Sequence, residues 1–401
     1  MITKIHGVYY DLSNFNHPGG KIPLYLADDR DATELFESHH LFSDRDKLFM
    51  ILKKYELENN LTKLIQDNDA FDWNETINSN FTKELKNIIN TELKYKDIKA
   101  STRKWFEILI LFTLYIYNLY YYYQSNYYAL IIYPFTLWIF TVNIYHDASH
   151  FALSHYPFIN KLGTYTALMF SLTYCWYHQH IIGHHCYVNI MSKDPDLYHS
   201  PLLVRHTPDI RKNKYHIYQH ISAWFIWLLA VPLGLIYTGF SKTIKGLPYN
   251  KVVKLSKELN VKNMYIELLF VILYMLVLPY IMTKKLLFVF YPYLAYSVLF
   301  MICTQINHLT EDTFNHHKNY YIHQIINSHN IAPHSYLTYL FTGGLNLQIE
   351  HHLVPSVNHC HLIKLQPKIE LLCKKYNIQY SKSNSIFEAI YKHYKHILRY
   401  S

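Results

Sequence analysis

The run from Ile108 to Tyr145 contains no aspartate, glutamate, lysine or arginine. A helix rises 1.5 Å per residue, so the run is nearly twice as long as a hydrocarbon core of about 30 Å. A polar break at Gln124–Asn126 divides the run into two parts. We therefore predict two membrane-spanning helices, at 105–123 and 127–145, joined by a tight turn.

Three more apolar stretches follow, at 220–241, 264–283 and 286–307, and a weaker one lies at 162–177. Polar side chains interrupt the weaker stretch, so we expect it to lie in the membrane interface or against the protein. Half of the 401 residues are hydrophobic and only 17% are charged, which suits a protein that lies partly in lipid. Length alone allows two or three domains.

Histidine is unusually abundant, with 27 copies, and several stand in short clusters beside apolar segments. The first cluster is HDASH, where His146 and His150 lie four residues apart. Residues at this spacing share one face of a helix, so both imidazoles can bind one metal ion or bridge toward a second.

The second and third clusters, HIIGHH and QIEHH, have related spacings. In HIIGHH, we expect His180 and His184 to share a helix face, while His185 lies about 100° around the helix and reaches a second ion. In QIEHH, positions i, i+3 and i+4 are expected to converge, and they hold Gln348, His351 and His352. A single further histidine, His308, ends an apolar helix in TQINHLTED.

Imidazole nitrogen is a ligand for iron, copper, zinc and nickel. Eight histidines are too many for one ion, which predicts two ions with a shared ligand shell; iron is the natural choice for dioxygen chemistry. Other histidines are equally dense but lack a matching pattern, and we do not predict them as ligands: His216, His220, His316, His317, His323, His329 and His334. His178 lies close enough to the second cluster to support its ligands.

Topology follows from the requirement that all clusters share one membrane side. The number of crossings between the second and third clusters must then be even, so one of the three stretches between them does not cross. We predict that 264–283 and 286–307 form the second hairpin and that 220–241 lies in the interface. In this arrangement Lys284–Lys285 faces the lumen against the positive-inside tendency, and the hairpin that uses 220–241 stays open as an alternative.

The N-terminal segment contains GVYYDLSNFNHPGG and then DATELFESHH. An HPGG turn presents one imidazole, and a histidine on a later helix can face it; two axial imidazoles leave a haem iron no open position, which suits electron transfer. The segment resembles the cytochrome b5 family over about residues 1–58, which implies a small α+β haem-binding domain. The resemblance implies axial ligands at His17 and at His39 or His40, of which the spacing favours His40, with Phe15 and Phe36 beside the haem.

The clusters HDASH, HIIGHH and GGLNLQIEHHLVP resemble those of the membrane fatty-acid desaturases, and the resemblance covers essentially the whole chain. The glutamine that begins QIEHH, together with the fused haem domain, is similar to the front-end subgroup. The resemblance implies Gln348 in or near the metal shell and Asp147, Asp194 and Asn307 as residues that orient imidazoles. It also implies these iron ligands: His146, His150, His180, His184, His185, His308, His351 and His352.

A front-end desaturase inserts a cis double bond between an existing double bond and the carboxyl end of an acyl chain. The resemblance implies two iron ions, haem b, dioxygen as co-substrate and NADH acting through cytochrome b5 reductase. The substrate would be an acyl chain on CoA or on a phospholipid. The alternatives are a sphingolipid long-chain-base desaturase, a di-iron hydroxylase, and a membrane-anchored haem electron carrier with an inactive iron site.

The expected organisation is an α-helical integral membrane protein of about four transmembrane helices in two hairpins, with a cytosolic histidine-rich cap and the small haem domain. We predict the haem domain at 1–58, a linker with amphipathic helices at 59–103, the desaturase domain at 104–380 and a basic surface helix at 381–401. The net charge of +9 lies in basic clusters beside apolar segments, which fits a cytoplasmic membrane face, and no nucleic-acid motif is present.

Five scattered cysteines without zinc or redox spacing favour a reducing compartment. The first residues, MITKIHGVYYDL, have no long apolar core, so a cleaved signal peptide is not expected. The resemblance implies an integral membrane protein of the endoplasmic reticulum, with the haem domain and the iron site facing the cytosol.

Overall fold

The computed structural model describes residues 1–57, 65, 69–198, 202–245, 247 and 261–401. The predicted start of the linker at residue 59 therefore lies outside the described residues. The elements that this part of the chain forms are mostly helices, with two small two-stranded sheets.

The N-terminal segment combines one sheet with three short helices. Strands Ile2–Ile5 and Val8–Asp11 pair antiparallel, and helices Ile22–Ala27, Thr33–His39 and Arg45–Leu52 follow. These elements enclose a small core of their own: Ile5, Tyr10, Leu12, Leu24 and Leu52.

Two amphipathic helices occupy the described part of the predicted linker, Trp73–Asn78 and Asn80–Glu92. The side chain of Asp72 caps the first, and that of Ser79 caps the second. The second helix buries an apolar stripe against helix Gln366–Lys375.

Among the described residues, four helices are long and apolar enough to cross a membrane: Tyr127–Ser149, His216–Lys242, Asn263–Thr283 and Leu286–Gln305. The expected number is therefore found, but its members differ from the prediction in one place. Helix Thr102–Tyr123 is absent from the set because six tyrosines and three charged residues lower its hydropathy. It is nevertheless 22 residues long, about 33 Å, and packs along Tyr127–Ser149 as the first arm of the predicted hairpin.

Two hairpins stand side by side, with their turns at the same end. The first is Thr102–Tyr123 with Tyr127–Ser149, and the second is Asn263–Thr283 with Leu286–Gln305. The Ser125 hydroxyl of the first turn donates to the carbonyl of Thr283, 3.4 Å away, just before the second turn. The histidine clusters therefore lie at the opposite end of both hairpins.

The segment His216–Lys242 has both ends on the histidine side. Near its start, Gln219 donates to the carbonyl of Ile397 at 2.8 Å. At its end, helix Gly239–Ile244 contacts Thr173–Trp176, which leads directly into the second cluster, and the first residues of the second hairpin. The middle of the segment packs against the middle of helix Leu286–Gln305, where the Ser297 hydroxyl donates to the carbonyl of Trp227 at 2.6 Å and accepts from the backbone N–H of Val231 at 3.0 Å. The segment therefore reaches into the hairpins, and its interfacial placement stays a prediction.

Short elements connect the hairpins to the cap. The weak stretch, 162–177, begins at the end of helix Pro157–Gly163, contains helix Thr173–Trp176 and is largely buried against the protein, as expected. The remaining elements between the first hairpin and the segment His216–Lys242 are Tyr177–His184, His185–Tyr187 and Pro195–Tyr198. After the second hairpin come Tyr320–Ile326, His329–Ile331, Tyr336–Thr342, Leu345–Leu347, Gln348–Leu353, His359–Lys364 and Gln366–Lys375.

The C-terminal segment differs from the predicted surface helix over 381–401. Residues Ser381–Ser383 form a strand that pairs in parallel with His329–Ile331, and the helix begins only at Ile386. Helix Ile386–Arg399 buries His393, His396 and Ile397, so one face of it is part of the cap. The local sequence does not reveal this pairing, because the partner strand His329–Ile331 is distant in sequence.

Candidate metal centre

All eight predicted histidine ligands are buried at one end of the hairpins, and none is more than 7% exposed. Their side-chain nitrogens fall into two sets in which every ligand atom lies within 4.8 Å of the others. The first set has five members and the second has three. The first is His146, His150, His180, His185 and His351, and the second is His184, His308 and His352.

The first cluster behaves as its spacing predicts. Helix Tyr127–Ser149 carries His146 in its last turn, and His150 caps that helix. The two ring centroids are 4.8 Å apart, and both residues belong to the first set.

The second cluster divides differently from the prediction. Residues Tyr177–His184 form a π-helix, in which the hydrogen bonds connect residues five apart instead of four. His180 therefore lies with His185, their Nε2 atoms 3.2 Å apart, while His184 joins the second set. The rings of His180 and His184 are neighbours, with centroids 5.4 Å apart, but they belong to different sets. The expected division, with His185 alone reaching the second ion, assumed the 3.6-residue repeat of an α-helix and differs from the structure.

The third cluster also contributes to both sets. Helix Gln348–Leu353 places His351 in the first set and His352 in the second, so its three side chains do not converge on one point. Two glycines before it permit this position. A Cβ on Gly343 would lie 2.7 Å from the carbonyl oxygen of Val142, and a Cβ on Gly344 would collide with His359. Both have positive φ, which glycine tolerates.

The distances between ligand atoms fit bound metal ions. The Nε2 atoms of His184 and His352 each lie 3.2 Å from that of His308. Two imidazole nitrogens that bind one ion at about 2.1 Å and at a right angle are about 3 Å apart. His150 has two buried ring nitrogens without a hydrogen-bond partner among the described residues, as expected of a ligand.

Burial lowers the pKa of most of these imidazoles, and their neighbours add to the effect. The pKa values of His185, His351 and His352 lie well below the ordinary histidine value, and that of His308 falls to about 3. These rings are therefore neutral at physiological pH, the form that binds metals. For His184, burial is outweighed by the charges of Asp194 and Asp196, which raise its pKa.

Polar partners orient several of the rings. Asp194 Oδ2 lies 3.2 Å from His184 Nδ1, as predicted for that carboxylate. Asp147 contacts His351 only through His359. Its Oδ1 lies 2.7 Å from His359 Nδ1, and His359 Nε2 lies 3.1 Å from Nδ1 of His351, a member of the first set. Such partners fix the tautomer and direction of a ligating imidazole.

Gln348 lies beside the second set rather than between the sets. Its amide nitrogen is 2.8 Å from His308 Nε2, and its amide oxygen accepts a hydrogen bond from Asn307 at 3.1 Å. In this orientation the amide donates toward His308, and Asn307 holds the amide there. The Asn307 side chain thus contacts Gln348 and the carbonyl of Leu345, whereas the expected contact was with an imidazole.

The histidines that were not predicted as ligands lie outside both sets. His329 instead contacts Ser381 and Ser383, at 2.6 and 2.8 Å, and so holds the C-terminal strand. His178 is buried and hydrogen-bonds to the carbonyl of Tyr174 at 2.9 Å, two residues before the ligand His180.

A narrow, mainly apolar cavity leads from the metal centre into the hairpins. His146, Tyr145, Thr141 and Trp138 lie along one wall, so the cavity extends about 12 Å along this helix. Tyr296 lies near its far end, with its ring centroid 5.5 Å from that of Trp138, and its hydroxyl group hydrogen-bonds with that of Thr141 at 2.8 Å. The apolar, elongated lining suits a hydrocarbon chain.

The N-terminal segment brings the predicted haem ligands together. The rings of His17 and His40 are neighbours, with centroids 5.9 Å apart and planes nearly perpendicular at 86°. His40 Nδ1 donates to the carbonyl of Phe36 at 2.9 Å, which leaves Nε2 free to bind a metal. His39, the other candidate, points away and stacks on His150, with ring centroids 6.4 Å apart.

Sequence comparison now decides the family, because residues 97–384 match the model of the fatty acid desaturases. The chain belongs to the fatty acid desaturase family. This desaturase is 30% identical to a probable Delta(5) fatty acid desaturase C of Dictyostelium discoideum, over 97% of this chain and 89% of that protein. It is therefore an oxidoreductase that desaturates fatty-acyl chains, and its apolar helices make it an integral membrane protein.

Two further relatives span the same range. The desaturase is 27% identical to the acyl-lipid (8-3)-desaturase B of Dictyostelium discoideum, over 98% of this chain and 90% of the relative. It is also 27% identical to the acyl-lipid omega-13 desaturase of Chlamydomonas reinhardtii, over 97% and 91%. No solved structure matches the chain.

Two residues of the site were not predicted from the sequence. His359 supports His351, and its only local signal is the sequence NHCH shortly after QIEHH. The contact of His39 with His150 has no local signal, because it joins parts of the chain 111 positions apart.

Proposed function

We propose that this desaturase inserts a cis double bond between an existing double bond and the carboxyl end of an acyl chain, with two iron ions and electrons from a haem in its N-terminal segment. The observation that carries the proposal is the pair of convergent imidazole sets at the mouth of an apolar cavity. The nine side chains assigned to the iron site are the eight histidines of the two sets, with Gln348 beside the second.

The reaction removes two hydrogens from adjacent carbons and reduces dioxygen to two waters. The acyl chain supplies two electrons and two protons, and the haem side must supply two more electrons while two protons come from water. Iron supplies the dioxygen reduction and C–H cleavage when it is bound. The chain's own residues exclude water with apolar walls and hold the acyl chain beside the ligands.

The names of the relatives support the desaturation of an acyl chain, and two of the names specify an acyl lipid. Two of the relatives are named as Delta(5) and (8-3) desaturases, although another is named as an omega-13 enzyme. The glutamine at position 348 adds to the front-end assignment. The carrier, CoA or phospholipid, is left to the experiment below.

Haem b is assigned to His17 and His40. Their ring centroids are 5.9 Å apart, and a Cβ on Gly19 would come within 3.0 Å of the His17 ring, so a glycine here gives the imidazole room. Phe15 and Phe36 contact the two rings. We further propose that cytochrome b5 reductase passes electrons from NADH to this haem at the cytosolic face of the endoplasmic reticulum.

The test is expression in yeast fed linoleic, α-linolenic or longer polyunsaturated acids, followed by gas chromatography–mass spectrometry of fatty acids and long-chain bases. A new double bond on the carboxyl side of an existing one is expected with the wild type and with His220→Ala, a histidine outside both sets. His351→Ala should abolish it. Analysis of separated phospholipid and acyl-CoA pools during a pulse identifies the carrier.

Other products would redirect the assignment. A hydroxylated acid would indicate the hydroxylase, and a double bond found only in long-chain bases would indicate the sphingolipid desaturase. A haem-loaded protein without any product from these acids or bases would favour the electron carrier.

A further inference from the structure

The N-terminal segment is fixed directly onto the metal-binding part. Helix Ile22–Ala27 contacts the π-helix of the second cluster, and helix Thr33–His39 contacts His185–Tyr187. Leu26 is fully buried in the same large core as the membrane helices. The hydroxyl of Tyr187 donates to Glu34 at 3.2 Å across this contact. The proposed haem ligands therefore have a fixed position relative to the two imidazole sets.

Within this contact, His39 lies between the two groups of ligands. Its ring is nearly parallel to that of His150, at an interplanar angle of 16° and a centroid distance of 6.4 Å. Its neighbour in sequence, His40, lies beside His17 on the other side. Successive residues at a helix end point about 100° apart, which lets one peptide bond join the two ligand groups.

The hydrogen bonds of His39 hold its ring through Nδ1 and leave Nε2 without a partner among the described residues. Nδ1 lies 3.1 Å from the carbonyl of Leu35 and 2.9 Å from the Ser38 hydroxyl. Nε2 is also inaccessible to solvent. A buried polar atom without a partner costs roughly 1–3 kcal/mol, so stability alone would favour an apolar side chain here.

We propose that His39 is the contact through which electrons pass from the haem side, at His40, to the metal centre, at His150. This inference rests on the proposed haem and iron sites. One electron leaves a ferrous haem and reduces one ferric ion of the centre, and no proton or ligand is exchanged. Because electron tunnelling weakens steeply with the gap between packed atoms, an aromatic ring that fills this gap sustains the rate.

The test measures haem oxidation in the full-length protein, purified in detergent with its iron, by anaerobic stopped-flow absorbance. The haem is first reduced with NADH and the reductase, and its single-turnover oxidation by the ferric centre is followed. His39→Ala, which removes the ring, should slow this oxidation by at least an order of magnitude. His39→Phe keeps a flat ring in the gap and should stay close to the wild-type rate.

Control measurements determine whether His39→Ala affects electron transfer alone. Haem content, the haem spectrum and the haem midpoint potential should match the wild type, because His40 is retained. An unchanged oxidation rate in His39→Ala would overturn the inference, as would a rate in His39→Phe as low as in His39→Ala. If the wild type instead contains no haem or no non-haem iron, the proposed function fails.

Discussion

Gly183 lies in the π-helix that carries the second histidine cluster, and it packs directly against Pro195. A Cβ at this position would lie 2.5 Å from Cγ and Cδ of Pro195, where ordinary contact begins at 3.4 Å. In Gly183→Ala, the helix and the loop around Pro195 must therefore separate by about 0.9 Å, the difference between these distances. A proline ring cannot turn aside, so backbone must move, at a cost of about 1–3 kcal/mol.

The displaced loop carries Asp194, which orients His184. We expect Gly183→Ala to lower the unfolding temperature by roughly 2–10 °C. We also expect it to lower desaturation by about a hundredfold, because a 1 Å shift of a positioned group has this effect.

The assays are thermal unfolding of detergent-purified protein, non-haem iron per chain and product formation in yeast. Gly234→Ala is the matched control, because nothing lies within 4 Å of a Cβ there. The control should be neutral or up to about 1 kcal/mol more stable, from helix propensity alone. Equal iron content, stability and activity in both variants would refute the packing argument.

Three further predictions concern separate parts of the structure. Asp194→Asn should lower the iron affinity of the protein about 10–100-fold, because it weakens the partner of His184; unchanged iron retention during chelator titration would contradict this. Tyr296→Ala should lengthen the cavity. Because each extra methylene that is buried contributes about 0.8 kcal/mol to binding, product analysis should show a shift toward longer acyl chains. An unchanged chain-length profile would contradict this. Burial lowers the pKa of His329 to about 3, below its ordinary value of 6.5. Between these two pH values the unfolded chain binds more protons than the folded protein. The stability of the folded protein therefore falls as the pH drops from 6.5 toward 3. His329→Asn should remove up to about 1.4 kcal/mol of this loss per pH unit, as measured by thermal unfolding between pH 6.5 and 4.5, and equal slopes would contradict the assignment.

The membrane helices could be predicted from local composition, because uncharged runs and polar breaks report burial in lipid directly. The turn at Gln124–Asn126 lies where the break placed it, and Asn126 caps the second helix through its side chain. The second hairpin likewise turns at Lys284–Lys285. Length and composition could not decide whether 220–241 crosses the membrane, since only its tertiary contacts place both ends on one side.

The eight histidines that converge in the two sets could also be named from the sequence, but not their division between the sets. An i, i+4 rule assumes an α-helix, and the π-helix at Tyr177–His184 changes which residues align. Gly183, within this helix, packs closely against Pro195, a contact that the local spacing of histidines does not display. The contacts of His359 with His351 and of His39 with His150 join distant segments, so they depend on the complete fold.

The most direct test of the two-set metal centre is the metal content of the purified full-length protein, with non-haem iron and haem measured separately. Two non-haem iron ions and one haem per chain are expected. His352→Ala should lose the ion of the second set before that of the first, because only three histidines form the second set. A protein that is active as a desaturase with one iron ion per chain, or with zinc in its place, would contradict the account.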